Sequence, residues 1–221
     1  MPTTDREDAV ELGLGTGEAR ISGSLDWLWA RLRDKPGPRV LDCGPVREST
    51  VNVLVERGAK LYVADLLSLV RRTNGSLWDY TGKVPLFRTD RLLSELPMIP
   101  PGSLSIALCW QLLDLLPREA LVDVVHRIYS YLEPSGVLFF LLREPCLAKG
   151  ADTTWYLQTL TKLGAQVGGQ KPFPYPPLSN REMERLIPTG MVKTVLTRSG
   201  LREVLAVRWN PTPRSIEAWA R

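Results

Sequence analysis

The sequence predicts an α/β domain of the doubly wound kind, a largely parallel sheet with helices on both faces, closed by a C-terminal antiparallel hairpin. Two observations carry this. Short apolar runs at 39–43, 60–65, 84–89, 103–110 and 137–142 alternate with segments of helical period. The last part of the chain then holds two β-like runs separated by Arg198-Ser199-Gly200. Parallel strands need crossover connections, and the helices of those crossovers pack on the sheet faces.

The elements follow in order. A first helix spans 25–32, with Trp27, Leu28 and Leu32 on one face, and Pro36-Gly37-Pro38 ends it. The strand 39–43 closes on Asp42-Cys43-Gly44, where the glycine allows a sharp turn into a helix at 48–57. Val51, Leu54 and Val55 form the apolar side of that helix, and Gly58 stops it. The next strand, 60–65, ends in Asp65, about 20 positions after the turn glycine, the spacing of a nucleotide-binding βαβ unit.

A third strand at 84–89 runs up to Asp90, and a fourth at 103–110 is an almost unbroken apolar run, as in a strand buried on both faces. Pro117 opens a helix whose stripe is Leu121, Val124, Val125 and Ile128, and Glu133-Pro134-Ser135-Gly136 turns it into the fifth strand, 137–142. Residues 153–164 read as a helix, and the proline-rich stretch 171–178 resists regular structure. Ser179 with Glu182 three residues later is a capping box for a short helix, and 191–197 and 201–209 make the hairpin. The expected organisation is an N-terminal segment 1–24, which could act as a flap, one domain over 25–209 with an insertion at 168–190 above the site, and a tail at 210–221.

Composition narrows the function classes. A chain of 221 residues, 44% hydrophobic and 24% charged, is of a size that one core can organise. No stretch approaches the roughly 18 apolar residues of a membrane-spanning helix, and 1–11 is acidic and polar, unlike a signal peptide, so a cytoplasmic protein without membrane contact is expected. Cys43, Cys109 and Cys146 lie in or beside apolar runs and read as small buried hydrophobes, and the single histidine, His126, falls in mid-helix, so no metal site is expected. The net charge of +4 comes from scattered basic residues, which leaves nucleic-acid binding unsupported.

In parallel α/β sheets, ligands sit at the carboxyl ends of the strands. Asp42, Gly44, Asp65, Asp90 and Trp110 fall at those ends. A carboxylate there offers two acceptors to a vicinal diol, and a glycine turn lets a ligand approach the backbone. The competing reading of an aspartate after a strand is the cap of the next turn.

The order of elements from about Trp27 to Trp209 resembles the seven-stranded class I S-adenosylmethionine-dependent methyltransferase fold. Four segments carry the resemblance: Val40-Leu41-Asp42-Cys43-Gly44, Leu61-Tyr62-Val63-Ala64-Asp65, Thr89-Asp90 with 102–109, and Leu132-Glu133-Pro134-Ser135-Gly136-Val137-Leu138. The last is similar to the family's L-x-P-G-G-x-L turn, with Ser135 in place of one glycine. The resemblance implies S-adenosylmethionine as cofactor, with Asp65 accepting from the ribose hydroxyls, Leu66 covering the adenine and Asp90 receiving its amino group. Gly44 would admit the methionine part with Asp42 orienting it, and Cys109 at the end of the fourth strand completes the implied set.

The chain departs from the family's acidic-x-G-x-G-x-G loop, since Asp42-Cys43-Gly44-Pro45-Val46-Arg47-Glu48 keeps only the first glycine. Val46 and Glu48 would crowd and repel the cofactor's amino-acid end, while Arg47 stands where it could pair with the cofactor's carboxylate. Ser105 occupies the place of the family's fourth-strand acid. The segment Glu11-Leu12-Gly13-Leu14-Gly15-Thr16-Gly17 matches the glycine pattern better, but almost no strand precedes it.

The implied function is methyl transfer by positioning, with no general base nominated and a small-molecule acceptor favoured over RNA or protein. Phe173, Tyr175 and Trp155 could line an aromatic acceptor pocket near Trp110. Two alternatives stand beside it. One is a methyltransferase-like domain that has lost catalysis and serves as a binding or scaffold partner, and the other, weaker, is a nicotinamide-dependent oxidoreductase on a related sheet.

Overall fold

A computed structural model of the chain describes residues 20–72, 76–144, 149–197 and 200–209. It begins with β1 (Arg20–Ile21) and α1 (Gly23–Arg31), the latter capped by Ser22, whose hydroxyl accepts from the Leu25 amide at 3.1 Å. The alternation then runs β2 (Arg39–Asp42), α2 (Glu48–Glu56), β3 (Lys60–Val63), α3 (Leu66–Arg71), β4 (Trp78–Asp79), β5 (Leu86–Phe87), α4 (Thr89–Ser94) and β6 (Leu104–Trp110). After a single 3₁₀ turn (Leu112–Leu115) come α5 (Arg118–Tyr131), β7 (Leu132–Arg143), β8 (Lys149–Thr159), β9 (Lys162–Pro172), α6 (Asn180–Leu186), β10 (Gly190–Leu196) and β11 (Leu201–Arg208).

Six strands form the central sheet in the order β10-β11-β7-β6-β2-β3. The pairs β2–β3, β2–β6 and β6–β7 are parallel, whereas β11 runs antiparallel to both β7 and β10. All seven residues of β6 are buried, as its continuous apolar run requires. Helix α5 lays Leu121, Val124, Val125 and Ile128 into the core. The capping box at Ser179 and Glu182 forms as the sequence implies.

The turn into β7 explains its serine and its glycine. Ser135 has φ of 68°, the left-handed region that glycine adopts without cost. A Cβ on Gly136 would stand 2.8 Å from the Leu104 carbonyl oxygen and 2.9 Å from that of Glu133, so the β6–β7 register allows only hydrogen there.

Two expectations are corrected. The segment 153–164 is the hairpin β8–β9, not a helix: Thr153, Trp155 and Leu157 are buried and alternate with more exposed neighbours, a period of two in a stretch rich in β-branched and aromatic residues. The run 84–89 contributes only Leu86–Phe87, which pairs with Trp78–Asp79 in a separate two-stranded ladder, so among the described residues six strands make up the central sheet. Asp90 therefore lies in the first turn of α4 and not at a strand end. The glycine-rich segment around Gly13, Cys146 and the tail 210–221 lie outside the described residues.

The hairpin pairs with β1 and is tied back to the sheet's carboxyl side. The Leu157 amide donates to the Thr50 hydroxyl in the first turn of α2 at 3.0 Å, and the Trp155 indole donates to Gln111, the residue after β6, at 3.0 Å. Residues 20–24 are anchored separately: Glu203 on β11, 1% exposed, accepts from the Ser22 hydroxyl, the Ser24 amide and Arg20. Among the described residues no helix is long and apolar enough to cross a membrane.

Candidate functional site

The parallel strands β2 and β3 end side by side, and the chain leaves each through an aspartate. Asp42 is buried, with 3% exposure. Its Oδ1 accepts from the Gly44 amide at 2.9 Å and from the Trp110 indole at 2.6 Å. Burial raises its pKa to about 6 against these two hydrogen bonds, and the nearby Asp65 adds to the rise. Asp65 is half-buried and N-caps α3, its Oδ1 accepting from the Ser68 amide at 2.9 Å. The capping role and a place at the strand end coexist in this residue.

The main chain stitches the ends together: the Ala64 amide donates to Asp42, Leu67 to Cys43, and Cys43 to Leu108. Cys43 and Cys109 are fully buried with their sulfurs 4.0 Å apart, and the Cys109 contact together with burial pushes the Cys43 thiol well above its usual range. Both are packed thiols rather than exposed nucleophiles.

Asp42, Gly44, Asp65 and Cys109 thus come together. Leu66 joins them in sequence, but its side chain is wholly buried in the core. Asp90 stands apart on an exposed surface, where the Arg88 guanidinium grips it at 2.7 Å and holds its carboxyl below the usual range. Ser105, in the middle of β6, is 1% exposed and accepts from the Arg39 amide at 3.3 Å.

The loop after β2 turns its departures from the glycine pattern outward. Val46 is 66% exposed and does not crowd Gly44. Arg47 begins α2 without a side-chain cap, and its Nε is buried with no hydrogen-bond partner. Beside it opens a cavity of about 450 Å³ lined by Arg47, Glu48, Ser49, Tyr156, Ala165 and Gln166, so the loop and the β8–β9 hairpin share one concave surface. Tyr156 is hidden in the sequence because 153–164 reads as a helix, and Gln166 lies beyond that segment; the run of β-branched and aromatic residues at 153–156 is the sequence signal for a strand there.

The aromatic residues do not form one pocket. Trp155 is 3% exposed against Gln111, while Phe173 lies under the Arg143 guanidinium at 4.2 Å and the Tyr175 carbonyl accepts from that same arginine. Among the described residues no three histidine, cysteine, aspartate or glutamate side chains gather to hold a metal ion. His126 is exposed on α5.

No protein-family model matches the chain, and no curated protein matches it. Solved structures do. The Burkholderia thailandensis 1,6-didemethyltoxoflavin-N1-methyltransferase, crystallised with S-adenosylhomocysteine, is 18% identical, with 85% of this chain and 77% of that one covered at a TM-score of 0.47. An S-adenosylmethionine-dependent methyltransferase from Mesorhizobium loti is 12% identical over 84% of this chain and 99% of that one, TM-score 0.42. Another from Methanosarcina mazei is 12% identical over 79% and 94%, TM-score 0.41. All three are methyltransferases by name, two of them S-adenosylmethionine-dependent.

Proposed function

We propose that the chain binds S-adenosylmethionine across the carboxyl ends of β2 and β3 and directs its methyl group to a small-molecule acceptor. The observation that supports this most is the pairing of Asp42 and Asp65 at adjacent parallel strand ends with Gly44 beyond the first. Asp65 has a second carboxylate oxygen beyond its capping bond for a ribose diol, and Arg47 offers an unpartnered donor beside a cavity for the amino-acid carboxylate. When bound, the sulfonium supplies an electrophilic methyl group. The chain's part is to hold donor and acceptor in line and to exclude water, which needs no general base.

A second reading has its own observation. The Trp110 indole lies over Gly44 and takes the hydrogen bond of Asp42, which favours a methyltransferase-like domain that serves as a non-catalytic partner.

Calorimetric titration with S-adenosylmethionine and S-adenosylhomocysteine, with NAD as a competing class, separates the two. Micromolar binding that Asp65→Ala abolishes supports the cofactor site; a folded protein that binds neither nucleoside is the non-catalytic partner. In the first case Arg47→Ala should weaken binding about 10- to 100-fold, the value of a charge-assisted hydrogen bond. Unchanged affinity would remove Arg47 from the site.

A further inference from the structure

Trp110 ends β6 in a conformation that its neighbours impose. Its φ is 48°, a region that bulky side chains avoid, yet the residue is only 1% exposed. Two contacts hold it. The indole nitrogen donates to Asp42 Oδ1 at 2.6 Å, and the ring meets Phe139 edge to face with centroids 6.1 Å apart. Its Cδ1 and Nε1 also come within 2.7 Å of the point where a Cβ on Gly44 would stand. The one surviving glycine of the loop therefore gives its space to this indole.

The next residue, Gln111, is held by the Trp155 indole from β8. Arg71 of α3 donates to the Thr153 carbonyl at 2.7 Å and to the Thr154 hydroxyl at 3.2 Å, which fixes the same strand from the other side. Trp110 is thus the last link of a chain of contacts running from the hairpin to Asp42.

We infer that Trp110 is a gate on the site: its indole fills the ground over Gly44 that a ligand must reach, and a ligand binds there only when the indole swings away. The inference rests on the cofactor reading proposed above. A backbone in the left-handed region has an unstrained alternative in the extended region, and a change of Trp110 to it would carry the indole away once Asp42 releases it. The closed form lowers apparent affinity by the fraction of molecules that are open, whatever the intrinsic affinity of the open site. Anything that loosens the link through Gln111 and Trp155 raises that fraction.

The test compares S-adenosylhomocysteine binding, by calorimetry and by stopped-flow association, in the full chain and in Trp110→Phe, Trp110→Gly and Asp65→Ala. Trp110→Phe keeps a ring and loses the hydrogen bond to Asp42, and about tenfold tighter binding is expected from losing that one buried contact. Trp110→Gly suits the positive φ and removes the ring, and its gain should be at least as large, expressed mainly in a faster association rate. Circular dichroism checks the fold, and Trp110→Phe carries the test if the glycine variant does not fold. Equal affinity in the original chain and Trp110→Phe, with Asp65→Ala non-binding, overturns the gate and leaves the cofactor site standing. Weaker binding in Trp110→Phe makes Trp110 a wall of the site and also overturns the gate. Absence of binding in every folded form overturns the cofactor reading and the gate with it.

Discussion

Asp114→Ala is expected to lower the unfolding free energy by about 1–3 kcal/mol, the cost of leaving the buried Arg143 amide without its acceptor. Asp114, Arg143 and Arg202 are each 3% exposed and meet where β7, β11 and the 3₁₀ turn come together. Asp114 Oδ2 accepts from the Arg143 amide at 2.8 Å, and its Oδ1 faces the Arg143 guanidinium at 3.9 Å. Arg202 donates to the Arg143 and Leu178 carbonyls and to Asn180, and Arg143 to the Tyr175 carbonyl, so the two arginines clamp the proline-rich stretch onto the sheet. Removing Asp114 takes from Arg143 the acceptor of its amide and the carboxylate facing its guanidinium, while Arg202 still faces Glu144.

Asp114→Asn should cost less, because an amide oxygen still accepts from the Arg143 backbone. The check is the urea midpoint at constant slope, with limited proteolysis around 173–178 as a local readout. A midpoint for Asp114→Ala equal to that of the original chain would show that the clamp does not depend on this acid.

The second large effect is a loss of stability as pH rises from about 4 to about 6. Burial raises Asp42 and Asp114 each to about 6, well above an ordinary aspartate. Each keeps its proton longer in the folded chain than in the unfolded one, so the folded state binds more protons across that window. Their contribution is fully present below the unfolded pKa and is lost as pH passes the folded value. A shift of this size corresponds to roughly 2–3 kcal/mol per group.

Asp79, Asp90 and Glu182 act with the opposite sign, since hydrogen bonds to Thr81, Arg88 and Ser179 hold them below their usual range. The stability they add is present above their unfolded pKa and lost in more acidic solution, below the window. Urea unfolding at steps between about pH 4 and pH 8 should therefore show a decline that Asp42→Asn flattens in part. A profile that Asp42→Asn leaves unchanged would mean that this carboxyl is charged throughout.

Much of the fold was legible because its signals are local. The unbroken run 103–110, the stripe of α5, the Ser179–Glu182 capping box and the approach of Asp42 and Asp65 to neighbouring strand ends follow from periodicity and end signals read within a dozen residues. The hairpin β8–β9 reads as a helix in the sequence since Thr153 to Leu157 is short and polar between its buried positions, and a window extended to Gly164 dilutes the period of two. Strand 84–89 shrank to Leu86–Phe87 since its remaining residues find no partner in the central sheet.

The candidate site divides in the same way. By itself the sequence determined which residues leave the strand ends, since a strand's direction and the turn glycine after it are set by nearest neighbours: Asp42, Gly44 and Asp65 are where the pattern puts them. Only the tertiary structure decided what stands over them. That Trp110 closes on Gly44, that Arg47 faces Tyr156 and Gln166 across a cavity, and that Asp90 turns away to Arg88 depend on side chains from segments distant in the chain meeting at one place. Close packing selects among such meetings by volume and hydrogen-bond satisfaction, which no local pattern of apolar and polar residues encodes.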